Sequence, residues 1–249
     1  MNFEILYEDE NIVVVNKASG LLSVPYPGFS GKTLEDFLEQ RMRKMGTWKK
    51  QHRPFAVHRL DRDTSGVMMF ALDERTQKKM MDNWQTIVTE RSYIALAENP
   101  HSNQGGSRTG QSEKCQPRGL PEAGIIDKPI SLNSKNHSGY VSKNLHGEKR
   151  DHNKTVSAIT HYKILAKGKR YTLFQLDLET GRKNQIRAHL SSVGYPLAGD
   201  SNYGAKTDPF GRLCLHARSL EFIHPSTGEK MKFEVEEPKE WGKMVLLPH

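Results

Sequence analysis

Two short apolar runs constrain the fold of this 249-residue chain more than any other feature. The first lies within Glu10–Lys17, where one isoleucine is followed by three valines, and the second is Val67–Leu72. Both are short for a buried helix, and the β-branched residues of the first run favour an extended backbone. We therefore expect two buried strands in the first third of the chain.

Later segments extend the same pattern. Arg91–Ala97 has the composition of a strand, Phe174–Leu178 alternates apolar and polar residues as a half-buried strand does, and Leu213–Phe222 indicates a further strand. Strands and helices do not alternate in a regular βαβ rhythm. The sequence therefore predicts an α+β fold with a mixed, mainly antiparallel central sheet, flanked by helices and loops.

Two helices have recognisable start signals. The first is predicted to begin at Thr33, where Asp36 completes a capping box, and Gly46 suits its end. The second is predicted to be capped by Asp73, with the adjacent pair Met80 and Met81 filling the core.

The chain is basic. It contains 37 Lys and Arg against 29 Asp and Glu, which gives a formal net charge of +8. Such an excess favours nucleic acid or a membrane surface as partner, although solubility alone also explains it. No apolar run approaches the roughly 20 residues that span a bilayer, and the N-terminus lacks the pattern of a secretory signal. Cys115 and Cys214 fit no metal-ligand spacing. We expect a cytoplasmic protein with free thiols and no bound metal.

A single domain is expected over residues 1–249, because no linker separates two patterned halves. Residues 101–153 differ from the rest, since they are rich in Ser, Gly, Asn, Lys and His and poor in apolar residues. We expect a polar, mobile insertion there, with a short strand within Gly124–Ile130.

A carboxylate lies among basic and hydroxyl side chains in His58–Gly66, which reads His-Arg-Leu-Asp-Arg-Asp-Thr-Ser-Gly. In so basic a chain, Asp61 must be desolvated, paired or catalytic. Its ionised form only accepts hydrogen bonds, and the hydroxyl of Thr64 could donate one. Judged from residue types alone, an Asx turn or a salt bridge with Arg59 or Arg62 is the simpler explanation.

A second polar cluster occupies Thr180–Leu190. If this segment is helical, Arg182, Gln185 and His189 share one face, which suits phosphate binding. A solvated basic helix is again the simpler explanation. Tyr93 lies on a predicted strand, where a tyrosine is ordinarily half-buried and serves packing.

These clusters occur together and in order, and in that combination the chain resembles the RluA family of RNA pseudouridine synthases. The residues that carry the resemblance are the signature HRLDxxTSG at His58–Gly66, an opening similar to Lys-Pro-x-Gly at Lys17–Gly20, GRxxQIRxHL at Gly181–Leu190, a block similar to GHPxxGDxxYG at Gly194–Gly204, LHA at Leu215–Ala217 and HP at His224–Pro225. Ala18 stands where the family usually has proline, and Asn184 where it usually has histidine. We expect the chain to start at the catalytic domain, without the small N-terminal RNA-binding domain of some members.

The resemblance implies the pseudouridine synthase fold and an isomerase that converts uridine to pseudouridine in structured RNA, either ribosomal or transfer RNA. It implies no cofactor, and we expect a monomer. Asp61 falls on the family's catalytic aspartate, Tyr93 on its active-site tyrosine and Arg187 on the basic partner of the aspartate. Further candidates for RNA or substrate binding are Arg59, His58, Thr64, Arg182, Gln185 and Lys17.

Two other classes remain open from the sequence. One is a non-catalytic RNA-binding protein that keeps the fold, and the other is a hydrolase of the nucleoside bond. Intact Asp61, Tyr93 and Arg187 argue against the first. The second ordinarily needs two carboxylates, and the motifs offer only Asp63 as the other.

Overall fold

The computed structural model describes residues 3–100, 119–132, 139–141 and 155–246. Most of the predicted insertion at 101–153, with Cys115, lies outside these residues. The strands in chain order are β1 Phe3–Glu8, β2 Ile12–Lys17, β3 Phe55–Ala56, β4 Ser65–Ala71, β5 Val88–Glu98, β6 Ala123–Asp127, β7 Ile130–Leu132, β8 Gly139–Val141, β9 Thr155–Val156, β10 Ile159–Lys167, β11 Tyr171–Leu178, β12 Leu215–Ile223 and β13 Lys230–Glu234. The helices are α1 Leu34–Met45, α2 Glu74–Asp82, α3 Trp84–Ile87, α4 Gln185–Ser192 and α5 Lys239–Leu246, with a 3₁₀ turn at Ser201–Tyr203.

The chain forms two compact units. The first is built from residues up to Ala95 together with Pro209–Lys239, and the second from Leu96–Asp208 together with the residues from Glu240 onward. The single domain that we expect from the sequence therefore stays a prediction.

The sheet of the first unit has the strand order β1-β2-β4-β12-β5, with β3 beside β4 and β13 beside β12. β4 and β12 run parallel, with Ser65 opposite His216 and Gly66 opposite Ala217. The other pairs in this sheet are antiparallel. The predicted α+β fold with a mixed, mainly antiparallel sheet is thus confirmed.

Both faces of this sheet are covered, which explains the apolar runs in the sequence. Along β2, Ile12 and Val14 face a cluster that includes Met80 of α2, whereas Val13 and Val15 face the opposite cluster beneath α1. A strand buried on both sides needs apolar residues at successive positions rather than at alternate ones.

The predicted start and end of α1 are confirmed. Thr33 is the N-cap and forms a capping box with Asp36, and Gly46 ends the helix in the left-handed region at φ 74°. Asp73 likewise caps α2. The prediction for the methionine pair is half right, because Met80 is buried and Met81 is 56% exposed. Adjacent residues on a helix point about 100° apart, so only one of the two reaches the core.

In the second unit β11, β10 and β6 are neighbours, and β7 pairs with β8 and β9 in a separate small sheet. Strand β6 confirms the predicted strand within Gly124–Ile130. Within the described part of the chain, no helix has the length and apolar character that crossing a membrane requires.

Candidate active site

The segment His58–Gly66, here called the signature loop, leads into β4 and is anchored to the core at both ends. Leu60 is buried in the cluster beneath α1. Gly66 adopts φ +111°, and a Cβ at this position would lie 2.1 Å from the carbonyl oxygen of Ala217. Only glycine permits so close an approach of β4 to β12. The last residue of the signature therefore fixes where the loop meets the sheet.

The segment Lys17–Ser23 holds the middle of the signature loop through its backbone. Ser19 Oγ donates to the carbonyl of Asp63 at 2.8 Å, and the amide of Gly20 donates to the carbonyl of Arg62 at 2.9 Å. Ser23 Oγ both donates to the carbonyl of Leu60 and accepts from its amide. The residues on both sides of Asp61 are therefore held by main-chain contacts to this segment.

Lys17 lies inside the fold rather than at a surface that RNA could reach. Its ammonium group donates to the carbonyls of Ala18, Leu21 and Arg62 at 2.9, 2.7 and 2.9 Å. These bonds use all three of its donors. Burial lowers the pKa of Lys17 to about 7, and the nearby carboxylates oppose this shift. Its geometry suits the positioning of the signature loop, not a phosphate contact.

Asp61 is half-buried at the start of a tight turn in which its carbonyl accepts from the amide of Thr64 at 3.1 Å. Thr64 itself is buried. Arg62, one of the ion-pair partners that the sequence allowed for Asp61, instead binds Asp63 at 3.0 Å. Arg59 is exposed.

Tyr93 lies close to the signature loop. On β5 it stands opposite Ala217 of β12, whose other neighbour is Gly66 of β4. Two strand spacings separate the backbones of Tyr93 and Gly66, about 10 Å. Burial raises the pKa of the Tyr93 hydroxyl, Arg91 opposes this, and Asp61 adds to it. The structure therefore brings Asp61 and Tyr93 within electrostatic reach of each other and keeps the hydroxyl protonated at neutral pH.

The half-buried His58 ring is engaged by other parts of the protein. Its Nε2 accepts from the amide of Met69 at 3.1 Å, and its ring packs against Trp84. Burial, together with the charge of Arg91, lowers the pKa of His58, so the imidazole stays neutral. This arrangement again favours a role in fixing the loop against β4.

A polar network behind the loop was not anticipated from the sequence. Arg212 donates to Ser65 Oγ at 2.7 Å, and Ser65 Oγ lies 2.8 Å from Nδ1 of His216. The other ring nitrogen of His216 lies 3.0 Å from the carbonyl of Val235, which can only accept. The ring therefore carries its proton on Nε2, and the Ser65 hydroxyl donates to Nδ1.

In the second unit, Arg187 on α4 is held in a fixed orientation. Its Nε and Nη2 donate to the two carboxylate oxygens of Asp200 at 2.7 and 2.8 Å, and its guanidinium lies 4.6 Å from the ring centre of Tyr203. Asp200 is buried. The Gly-Asp-x-x-Tyr-Gly block thus orients the arginine. Arg187 and Asp61 belong to different units, so their predicted pairing stays a prediction.

The shared helical face predicted for Arg182, Gln185 and His189 is wrong for Arg182. Helix α4 begins only at Gln185, because Asn184 adopts the left-handed region at φ 56°. Arg182 precedes the helix, is exposed, and donates to the carbonyl of Ser157.

Gln185 and His189 are buried. The Gln185 amide accepts from Thr180 Oγ1 and the amide of Arg182, and it donates to Ile159 and Thr160. All four of its hydrogen-bonding positions are used inside the protein, which suits loop positioning.

Asn184, which departs from the resembled motif, contacts a described strand of the insertion. Its side-chain oxygen accepts from the amide of Gly139 on β8 at 3.5 Å, and Tyr203 donates its hydroxyl to the carbonyl of the same glycine. Asparagine tolerates the left-handed backbone better than most residues. Strand β8 therefore supports the tyrosine that packs on Arg187.

Ser23, Asp200 and Arg212 are the site residues that sequence reasoning missed. The partners of Ser23 and Arg212 are 37 and 147 residues away along the chain, and no local sequence pattern predicts such contacts. Asp200 does carry a local signal, since it follows Gly199 in the Gly-Asp-x-x-Tyr-Gly block, but the block alone does not show that this aspartate binds Arg187.

Comparisons with known proteins identify the family. The chain matches the sequence model of the RNA pseudouridylate synthase family over residues 11–192. An uncharacterized RNA pseudouridine synthase of Bacillus subtilis, YlyB, is 32% identical over 98% of this chain and 72% of its own length. The ribosomal large subunit pseudouridine synthase D of Pseudomonas aeruginosa is 31% identical over 99% of this chain and 72% of its own.

Two solved human structures share the fold. RNA pseudouridylate synthase domain containing 1 has a TM-score of 0.68 at 22% identity, covering 95% of this chain and 84% of the human chain. RNA pseudouridylate synthase domain containing 4 has a TM-score of 0.66 at 23% identity, covering 96% and 90%. With the family match and the bacterial relatives, the findings show that this chain belongs to the RluA family of RNA pseudouridine synthases and is an isomerase.

Proposed function

We propose that this enzyme isomerises a uridine of large-subunit ribosomal RNA in the cytoplasm, as a monomer, with Asp61 as the catalytic carboxylate. The choice of ribosomal RNA rests on relatives named ribosomal large subunit pseudouridine synthase D, in Pseudomonas aeruginosa and in Zymomonas mobilis. Transfer RNA is the other substrate that the sequence left open.

The observation that carries the role of Asp61 is the number of contacts that hold its neighbours. Leu60, Arg62 and Asp63 are each fixed through the backbone by Lys17, Ser19, Gly20 or Ser23. A carboxylate that acts on a sugar must be held within a fraction of an ångström of its target. A merely solvated aspartate gains nothing from such a frame.

The reaction breaks the bond between C1′ and N1 of uridine and forms one between C1′ and C5. The proton on C5 is lost and N1 gains one, so no oxidant or group donor is consumed. Asp61 either attacks C1′ or removes a proton from the sugar. The Tyr93 ring stacks on the uracil, and its protonated hydroxyl serves the later proton transfers.

A uridine inside a helix must leave the stack to reach this loop. Arg59, exposed two residues before Asp61, can fill the vacated space by stacking its guanidinium on the neighbouring bases. Arg187, fixed by Asp200, serves as the basic partner of Asp61. Lys17, His58, Thr64 and Gln185 act from inside the fold by positioning these groups, and exposed Arg182 remains the candidate for a phosphate contact.

The test is a map of pseudouridines in total RNA from a deletion strain and from the same strain complemented with the gene. We expect one or a few sites to disappear from large-subunit ribosomal RNA and to return on complementation. Loss of sites from transfer RNA alone would refute the choice of substrate. An unchanged map, with RNA binding retained, would favour the non-catalytic RNA-binding alternative.

A further inference from the structure

The stretch Gln40–Leu60, directly before Asp61, is strongly basic and contains no acidic residue. Its seven cationic residues are Arg41, Arg43, Lys44, Lys49, Lys50, Arg53 and Arg59. In a chain with 29 carboxylates, an acid-free run of this kind concentrates positive charge on one part of the first unit. Such clustering is typical of contacts with a polyanion.

Three of these seven cations bind or approach carboxylates, and the other four are Arg59 and three lysines. Arg41 binds Glu8, Arg43 binds Glu39, and Arg53 lies 4.0 Å from Glu35. The three exposed lysines are Lys44, Lys49 and Lys50. Among the residues that the structure describes, no carboxylate lies within 4.0 Å of these three ammonium groups.

The segment Lys44–His52, here called the basic arm, is held by backbone hydrogen bonds and by the packing of Trp48. The amides of Thr47 and Trp48 both donate to the carbonyl of Met42, and the Arg43 guanidinium lies 3.4 Å from the centre of the Trp48 ring. Trp48 packs against the core beneath α1.

The tip of the arm is closed by its backbone. Lys49 and His52 exchange two backbone hydrogen bonds of 3.0 Å, which places Lys50 and Gln51 at the turn. Lys49 and Lys50 thus lie on a hairpin and Lys44 in the last turn of α1, so binding a ligand costs little backbone ordering.

We propose that the basic arm binds the phosphate backbone of the substrate RNA at a distance from the reacting uridine. Lysine acts as a compact point charge that suits phosphate without reading a base, so the arm contributes affinity and orientation rather than sequence choice. The RNA partner follows from the family to which the chain belongs.

The path of the chain gives the distance. The amide of Arg53 donates to the carbonyl of Leu72, and Phe55 and Ala56 pair with the last residues of β4. The arm therefore joins the sheet at the end of β4 opposite Gly66. Six residue steps along a strand span about 20 Å. The arm therefore meets phosphates that lie about 20 Å or more from the reacting uridine, a span of several nucleotides. This distance rests on the proposed role of Asp61, whereas the phosphate contact does not.

The experiment compares two triple variants with the same charge change. The arm variant carries Lys44→Gln, Lys49→Gln and Lys50→Gln, and the control carries Lys78→Gln, Lys163→Gln and Lys243→Gln, which are exposed elsewhere. Affinity for a short fluorescein-labelled hairpin RNA with a uridine-rich loop is measured by anisotropy over a range of salt. Circular dichroism and urea unfolding check that both variants fold.

We expect the slope of log affinity against log salt to be about 2–3 smaller in magnitude for the arm variant, at 0.7–0.9 per phosphate. Between 50 and 200 mM salt, the wild type should then lose roughly 20- to 40-fold more affinity than the arm variant. The control should keep a slope close to that of the wild type. Equal slopes for arm variant and control, or a loss of affinity with an unchanged slope, would overturn the proposal.

The position of the contact is read separately by ethylation interference on the natural substrate, with and without the arm substitutions. Ethylated phosphates several nucleotides from the modified uridine should interfere with binding of the wild type and no longer interfere with binding of the arm variant, which supports the placement. If Asp61 proves not to be catalytic, the salt slopes still decide whether the arm binds phosphate.

Discussion

Replacing Gly66 with alanine tests whether the close approach of β4 to β12 positions the signature loop. The new Cβ would lie 2.1 Å from the Ala217 carbonyl oxygen and 2.7 Å from its carbonyl carbon. Ordinary contact needs more than 3 Å, so the strands must separate by about 1 Å or more. The φ of +111° adds strain of its own, about 1–3 kcal/mol for a residue with a side chain.

The separation also weakens the hydrogen bond that Ser65 donates to His216 and the one that it accepts from Arg212, each contributing about 1 kcal/mol. Together the free energy of unfolding should fall by about 3–5 kcal/mol, a large part of the 5–15 kcal/mol typical of a domain. Because the signature loop ends at Gly66, a shift of this size should also slow the chemical step by about 100-fold.

Gly228→Ala is the matched control. Gly228 has φ +77°, and nothing lies within 4 Å of its added Cβ, so this variant carries the backbone strain without the clash. Urea unfolding gives the stability, and single-turnover release of tritium from C5 of labelled uridine in the RNA gives the chemical rate. If Gly66→Ala lost no more stability and no more rate than Gly228→Ala, the strand contact would not position the loop.

Three further predictions follow from the same contacts. Lys17→Met leaves the carbonyls of Ala18 and Leu21 without their hydrogen-bond donor, which should cost about 2–4 kcal/mol of stability. It should also lower the rate of the chemical step more than RNA affinity, and a rate like that of the wild type would contradict this prediction. Asp200→Asn removes the buried carboxylate that binds Arg187, whose side chain is 15% exposed. This should cost up to about 3–5 kcal/mol of stability and most of the activity, and an unchanged rate would show that this salt bridge does not orient the arginine. Burial lowers the pKa values of His58, His189 and His216 below their ordinary value of about 6.5. Below that pH the unfolded chain binds protons that the folded imidazoles do not bind, so the free energy of unfolding should fall from about pH 7 to pH 5 in urea titrations. A constant free energy of unfolding would count against these neutral imidazoles.

Local signals in the sequence predicted local structure well. Thr33, Asp36 and Gly46 marked the ends of α1, because caps depend on residues within one turn. The apolar runs predicted β2 and β4, because a buried strand is also a short local pattern. The prediction that Met81 is buried was wrong, because the sequence of this short helix does not show which of two adjacent methionines faces the core.

The parts of the site that the sequence left out depend on contacts between distant segments. Lys17 resembles a surface cation in the sequence, yet one of its partners is the carbonyl of Arg62, 45 residues later. Gln185 likewise uses its amide on Thr160, 25 residues earlier. A residue type shows that a side chain can donate or accept, but only the fold decides whether the partner is RNA or another part of the protein.

The central claim, that Asp61 is the catalytic carboxylate of an RNA pseudouridine synthase, is tested most directly by Asp61→Asn. Asparagine keeps the shape and much of the hydrogen bonding of aspartate but is a poor nucleophile and a poor base. Pseudouridine formation and RNA affinity should be measured on one preparation, with Asp63→Asn in the same loop as the control. We predict that Asp61→Asn binds RNA like the wild type and forms no pseudouridine, while Asp63→Asn retains turnover. Turnover by Asp61→Asn at a rate comparable to that of the wild type would contradict the assignment.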